Sequence, residues 1–257
     1  MNKADKFKLL YIFGISLIFY FIGCVDTSVQ NLPSSVDYHS QIQIINLASL
    51  GGAATIDVVD NTGAVNGSTG QLNVGSAYPA DSQPFMDVPS GSKTFNITFA
   101  NSSFNTSLKL TIDTERKIRL LLINPDSSSS SLVKVDERYT WQEKNSDHAG
   151  DLFPADTAQI SFFNATPDIS VDSIYVQGNL IVDANEDPVT LAIGKGSSYM
   201  PFTPPANYTI TFKQDTTGVG GDPNLATATI NAQSQGKYSA ILYGTKGSLQ
   251  AKVYTDD

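Results

Sequence analysis

Two short stretches decide the fold: QIQIINLAS at residues 41–49 and QISFFNATP at residues 159–167. Gln41, Ile42 and Asn46 recur as Gln159, Ile160 and Asn164, each 118 positions later. Ile56 and Val58 fall on Ile174 and Val176 at the same offset. Further along, FNITFA (95–100) mirrors YTITFK (208–213), LKLTID (108–113) maps on TATINA (227–232), and LVKV (132–135) on LQAKV (249–253). Matches that keep one order and nearly one offset point to a duplicated unit.

Within each copy the hydrophobic period is two. Gln41-Ile42-Gln43-Ile44, Phe95 to Phe99 and Tyr208 to Phe212 alternate polar and apolar residues, the pattern of a strand with one buried face. Ile118 to Ile123 and Tyr238 to Tyr243 are largely apolar runs, expected as central strands. Gly-containing turn signals separate the runs, at Asn61-Thr62-Gly63, Pro89-Ser90-Gly91, Gln177-Gly178-Asn179 and Gly244 to Gly247. No helical period stands out beyond the N-terminus. The expected fold is all-β, two tandem antiparallel β-sandwich (Ig-like) domains after an N-terminal lipoprotein signal peptide.

The N-terminus supplies an address. Lys3, Lys6 and Lys8 precede the uncharged run from Leu9 to Ile22, which has the length of a signal h-region and is short for a bilayer span. Extending the run to Val25 only reaches the bottom of the spanning range, so length alone leaves both readings open. Phe21-Ile22-Gly23-Cys24 resembles the bacterial lipobox, with Phe21 in place of its usual Leu. That resemblance implies cleavage between Gly23 and Cys24 and lipidation of Cys24, with the membrane as partner through the lipid anchor. Each buried CH₂ of an acyl chain contributes roughly 0.8 kcal/mol, and two chains suffice for stable anchoring. The chain has no other cysteine, so no internal disulfide supports the fold.

The expected organisation follows: 1–23 signal peptide, 24–40 acylated Cys24 and tether, 41–138 first repeat, 139–157 linker and 158–257 second repeat. The tether (25–40) is polar and aperiodic, and about 16 flexible residues reach on the order of 20–25 Å. The expected location is the bacterial cell envelope, as an outer-membrane lipoprotein facing the periplasm or the exterior.

In the second copy, QISFFNATPDISVDSIYVQGNLI, SSYMPFTPPANYTITF and GKYSAILYG resemble the domain of unknown function 4397 family along the length of the copy. The first copy departs from that pattern at Ser49 to Gly52 and at Phe85 to Val88. The resemblance implies an envelope β-sandwich module, often duplicated, and brings no catalytic residues.

The net charge is −9 for the whole chain, and Lys3, Lys6 and Lys8 against Asp5 put +2 on the segment 1–23, which leaves −11 on the rest. With no basic stripe, nucleic acid is not expected as a partner. The two histidines, His39 and His148, fall in the expected linkers, and no metal-ligand spacing surrounds them, so neither a metal site nor a cofactor is expected. Asp183, Asn185 and Asp187 alternate like a calcium loop, but Pro188 and Gly194 occupy positions that need Gly and Glu, which favours a plain acidic turn. The glycine-rich TTGVGGDP (216–223) lacks the lysine of a phosphate loop and reads as a hairpin connection. Six Asn-x-Ser/Thr sequons, Asn66 among them, reflect a Ser/Thr/Asn-rich composition.

No catalytic constellation emerges, and a non-enzymatic binding or structural module is expected. A carboxylate hydrolase using Asp113 and Glu115 is the lesser alternative. Among the aromatics Tyr78, Tyr139, Trp141, Tyr199, Phe202 and Tyr208, most are expected to fill core. Trp141, with Tyr139 beside it, is the candidate contact for a glycan, peptide or envelope protein in an adhesin-like alternative.

Overall fold

The structure is a computed structural model that describes residues 38–81, 83–114, 116–138, 156–203, 206–214 and 223–256. The signal segment, Gly23, Cys24 and nearly all of the tether and linker lie outside the described residues.

The first repeat contributes β1 (His39–Asn46), β2 (Ala54–Asp60), β3 (Val65–Leu72), β4 (Ser76–Tyr78), β5 (Met86–Pro89), β6 (Gly91–Phe99), β7 (Thr106–Ile112), β8 (Arg116–Ile123) and β9 (Ser131–Arg138). The second contributes β10 (Ala158–Asn164), β11 (Ser173–Val176), β12 (Asn179–Leu180), β13 (Met200–Phe202), β14 (Ala206–Lys213), β15 (Asn224–Ala232), β16 (Lys237–Tyr243) and β17 (Gln250–Thr255). Every stretch matched by the repeat folds as an equivalent strand, β1 with β10, β2 with β11, β6 with β14, β7 with β15 and β9 with β17, and the two apolar runs form β8 and β16.

Each repeat is a pair of facing sheets. In the first, order β4-β1-β8-β9, with β5 also on β1, faces order β3-β2-β6-β7. In the second, β13-β10-β16-β17 faces β12-β11-β14-β15. Ile42, Ile44, Ile118 and Leu120 meet Ile56, Val58, Phe95 and Ile97 in the first core. Ile160, Phe162, Ala240 and Leu242 meet Ile174, Ile210, Phe212 and Ile230 in the second. The period-two alternation supplies these rows, because alternate residues of a strand share one face.

Two details correct the sequence-based expectation. The sheets are not wholly antiparallel: β1 runs parallel to β8, and β10 parallel to β16, with Gln41 opposite Lys117 and Gln159 opposite Lys237. Residue periodicity reports which face is buried and carries no strand direction, so this pairing was not readable. His39 is not in the tether but opens β1, opposite Pro89, where its Nδ1 lies 2.9 Å from the Asp87 carboxylate. The β1–β5 pairing extends beyond the recognised repeat, because the backbone of Ser90 donates to Tyr38 and closes that edge.

The duplicated asparagine has a structural task. Asn164 is fully buried and its Nδ2 donates to the carbonyls of Ile169 (2.8 Å) and Leu191 (3.1 Å). Its Oδ1 accepts from the backbone and hydroxyl of Thr166. Asn46 repeats the arrangement with Gly52, Leu72 and Ala48. Each asparagine therefore ties the loop after its strand to a second crossing segment. Asn164→Ala leaves several buried groups unpaired, at about 1–3 kcal/mol each. Urea unfolding of this variant is expected to show a stability loss of about 3 kcal/mol, against less than about 1 kcal/mol for a surface change such as Asn231→Ala.

Candidate functional site

Strands β1 and β8 are buried on both faces, as are β10 and β16. One face of each builds its own sandwich core. The other faces meet: Ile45, Leu47, Leu121 and Ile123 of the first repeat pack with Phe163, Ala165, Ile241, Tyr243 and Tyr254 of the second. Burying side chains such as Ile, Leu and Phe contributes on the order of 1.5–3 kcal/mol each. The two sandwiches therefore share a third core, and the nearly continuous apolar runs are explained by it.

At the edge of that shared core sits Arg119, fully buried on β8. Its guanidinium forms an ion pair with the equally buried Asp256, donates from Nε to Gln43 (2.8 Å), and donates from Nη2 to the Thr255 carbonyl (2.6 Å). It lies 5.8 Å from the ring centres of both Phe85 and Tyr254. The Asp256 carboxylate also accepts from the hydroxyls of Tyr199 (2.8 Å) and Ser239 (2.7 Å), while Lys117 donates to its carbonyl (3.0 Å). A buried charge is tolerated only when paired and hydrogen-bonded, and here both partners are.

From β17, Lys252 and Tyr254 donate to the carbonyl of Gly75 in the first repeat. Gly75 has φ +78°, and a Cβ there would stand 2.5 Å from the Tyr243 hydroxyl, so only glycine admits this approach. Burial, followed by the Tyr243 and Asp81 charges, pushes the Tyr254 phenol well above its ordinary range, against the opposing pull of Arg119. It acts as a neutral hydrogen-bond donor.

Two concavities flank this region. A crevice of about 210 Å³ lies between the sandwiches, with Arg119, Leu121 and Lys134 on one wall and Ser161, Phe163 and Tyr199 on the other. A more open groove of about 480 Å³ lies on the second sandwich, between the edge strands β12 and β13. Its walls are Leu180, Ile181, Val182, Met200, Pro201 and Phe202, and its polar points are Asp183, Ser198 and Tyr199. Leu180 and Val182 remain 39% and 43% exposed, high for such side chains in a folded domain. Tyr199 borders both concavities, with its hydroxyl tied to Asp256.

The candidate contacts Trp141 and Tyr139 lie outside the described residues, as do Glu115 and nearly all of the glycine-rich 216–223 stretch. Of the other aromatics, Tyr208 is core, its hydroxyl bonded to the Thr203 carbonyl, and Phe202 packs edge-on against Phe162. Tyr78 is partly exposed on β4. Of the described aromatics, Tyr199 and Phe202 line one groove together. The spacing of alternating residues held no sign of it, because that groove forms where two short edge strands part.

Asp183 spends its carboxylate on the backbone amides of Asn185 (2.8 Å) and Asp187 (3.1 Å), closing the turn between Val182 and Pro188. The loop is thus an Asx turn in form. Asp113 bonds Lys134 at 2.6 Å, and that bond and charge hold its carboxyl below the usual range. A general acid in glycoside hydrolysis needs the opposite shift.

No protein family model matches the chain, and no curated protein does. Among solved structures, it is similar to one of α-glucan binding by a streptococcal virulence factor, at 12% identity and TM-score 0.24, over 83% of this chain and 96% of that one. It is similar to a proposed cell adhesion protein from Bacteroides uniformis at 10% identity and TM-score 0.23, over 85% and 98%. A third is a maltoheptaose-bound carbohydrate-binding module from Eubacterium rectale, at 11% identity and TM-score 0.20, over 83% and 96%. These neighbours are adhesion and carbohydrate-binding proteins. Scores this low leave the functional reading to the chain's own geometry.

Proposed function

We propose that the chain is a non-enzymatic bacterial envelope lipoprotein, a member of the domain of unknown function 4397 family, held to the membrane through Cys24. Its double sandwich is a binding module, and the groove between β12 and β13 is the ligand surface. The groove carries this reading. Its exposed apolar walls and its polar points, Asp183, Ser198 and Tyr199, combine the two features that ligand sites show. An apolar wall beside hydrogen-bonding groups suits an oligosaccharide, whose rings offer C–H faces and hydroxyl edges. Among the described residues no helix is long and apolar enough to cross a membrane. The anchor assignment rests on the Phe21 to Cys24 motif.

Two experiments test the two halves. Cells fed labelled palmitate are expected to label the wild-type chain and not Cys24→Ala; equal labelling of both removes the lipid anchor. Titration of the purified chain with a panel of oligosaccharides, followed by NMR, is expected to shift signals of Leu180, Val182, Tyr199 and Met200. Leu180→Ser, at a partly exposed position, is expected to weaken the best ligand about tenfold, a loss of about 1.4 kcal/mol. A panel that leaves every groove signal unmoved overturns the glycan reading.

A further inference from the structure

Lys93 is the anomaly of the first sandwich. It points inward from β6 in the same row as Phe95, Ile97 and Phe99, and is only 4% exposed. A lysine so placed is ordinarily paired with a carboxylate. Here its Nζ donates to Oδ1 of Asn66, a neutral amide on β3, at 2.7 Å. Among the described residues it forms no ion pair. Burying an ammonium against one neutral acceptor is costly.

A carboxylate stands beside this pair without touching the lysine. Asp60 ends β2, the strand between β3 and β6, and lies directly opposite Lys93 in the ladder. Its Oδ2 accepts from Nδ2 of Asn66 at 3.5 Å. Its Oδ1 is taken by Thr62, through hydroxyl and backbone, and by the backbone of Ala64. Those bonds, led by the Thr62 hydroxyl, hold the Asp60 carboxyl at about 2, so it is ionised at neutral pH. An amine, a carboxamide and a carboxylate are thus collected on three adjacent strands. By the repeat alignment the second sandwich has Ala206 in place of Lys93 and Gly178 in place of Asp60, so the set belongs to the first copy alone.

We propose that Lys93 and Asn66 join in an intramolecular isopeptide bond, with Asp60 carrying the proton. The Lys93 ammonium gives one proton to solvent, and the freed amine attacks Cγ of Asn66. The new C–N bond forms as the carbonyl π pair moves to Oδ1. When the intermediate collapses, the surplus proton on the attacking nitrogen passes by way of Asp60 Oδ2, which Nδ2 already touches, to Nδ2, and the Cγ–Nδ2 bond breaks to release ammonia. That ammonia takes up the proton released to solvent and departs as ammonium. No oxidant or cofactor enters. A buried charge is removed, and β6 is tied covalently to the edge strand β3 across β2.

Asn66 precedes Gly67, whose backbone nitrogen is a competing nucleophile that also expels ammonia, so the test must locate the bond. The purified full-length chain is denatured and digested with trypsin, and the peptides are sequenced by mass spectrometry. The expected product is a branched peptide joining the Asn66 and Lys93 segments, one ammonia lighter than their sum and uncleaved after Lys93. Lys93→Arg and Asn66→Ala are expected to lack it, and Asp60→Asn to slow its accumulation on the order of a hundredfold. Two linear peptides of full mass from the wild type overturn the proposal. So does ammonia loss confined to a succinimide at Asn66–Gly67.

Discussion

The ion pair between Arg119 and Asp256 is the constraint on which the arrangement of the two sandwiches depends. Both groups are fully buried, and one belongs to each repeat. The apolar faces around Ile45, Leu121, Phe163 and Ile241 supply area, but apolar contact alone is non-directional and permits sliding. The guanidinium, fixed by Gln43 and seated between Phe85 and Tyr254, accepts a carboxylate at one place only. Tyr199 and Ser239 complete that carboxylate from the second repeat. Buried pairs of this kind add little net stability over an apolar substitute, but breaking one leaves an uncompensated charge. Register is what the pair provides.

That register also positions the concavities. Tyr199 joins the Asp256 cluster at its hydroxyl and lines the β12–β13 groove. The loop that carries it is therefore anchored to the shared core, and a ligand in the groove would meet a wall with one end already fixed. Preorganisation of this sort reduces the ordering cost of binding. Asp256 follows directly on β17, so this one residue past the strand ties the second repeat to Arg119 of the first.

Much of the fold was legible. The recurrence at an offset of 118, the period of two and the Gly-marked turns led directly to paired sandwiches, since each of these is a local consequence of strand geometry. The two apolar runs, 118–123 and 238–243, also carried a signal that went unread: a strand apolar on both faces needs two partners, and one sandwich core provides only one. Arg119 inside such a run was the corresponding sign of a buried charge awaiting its counter-ion. Its partner, Asp256, stands past the last strand of the other repeat, and no local pattern links the two. The groove and the Lys93 cluster escaped for the same reason, because each is assembled from separate strands. Cys24 stands apart: its reading is chemical and belongs to the sequence, outside the described residues.

Calorimetry of the full-length chain tests the interdomain lock most directly. The wild type is expected to melt in one cooperative transition, both sandwiches together. Asp256→Ala, which strands the buried Arg119 at a cost of about 3–5 kcal/mol, is expected to melt in two separate transitions. Arg119→Met combined with Asp256→Leu, which replaces the pair by apolar groups, is expected to restore one. An Asp256→Ala chain that melts as the wild type does would contradict the account.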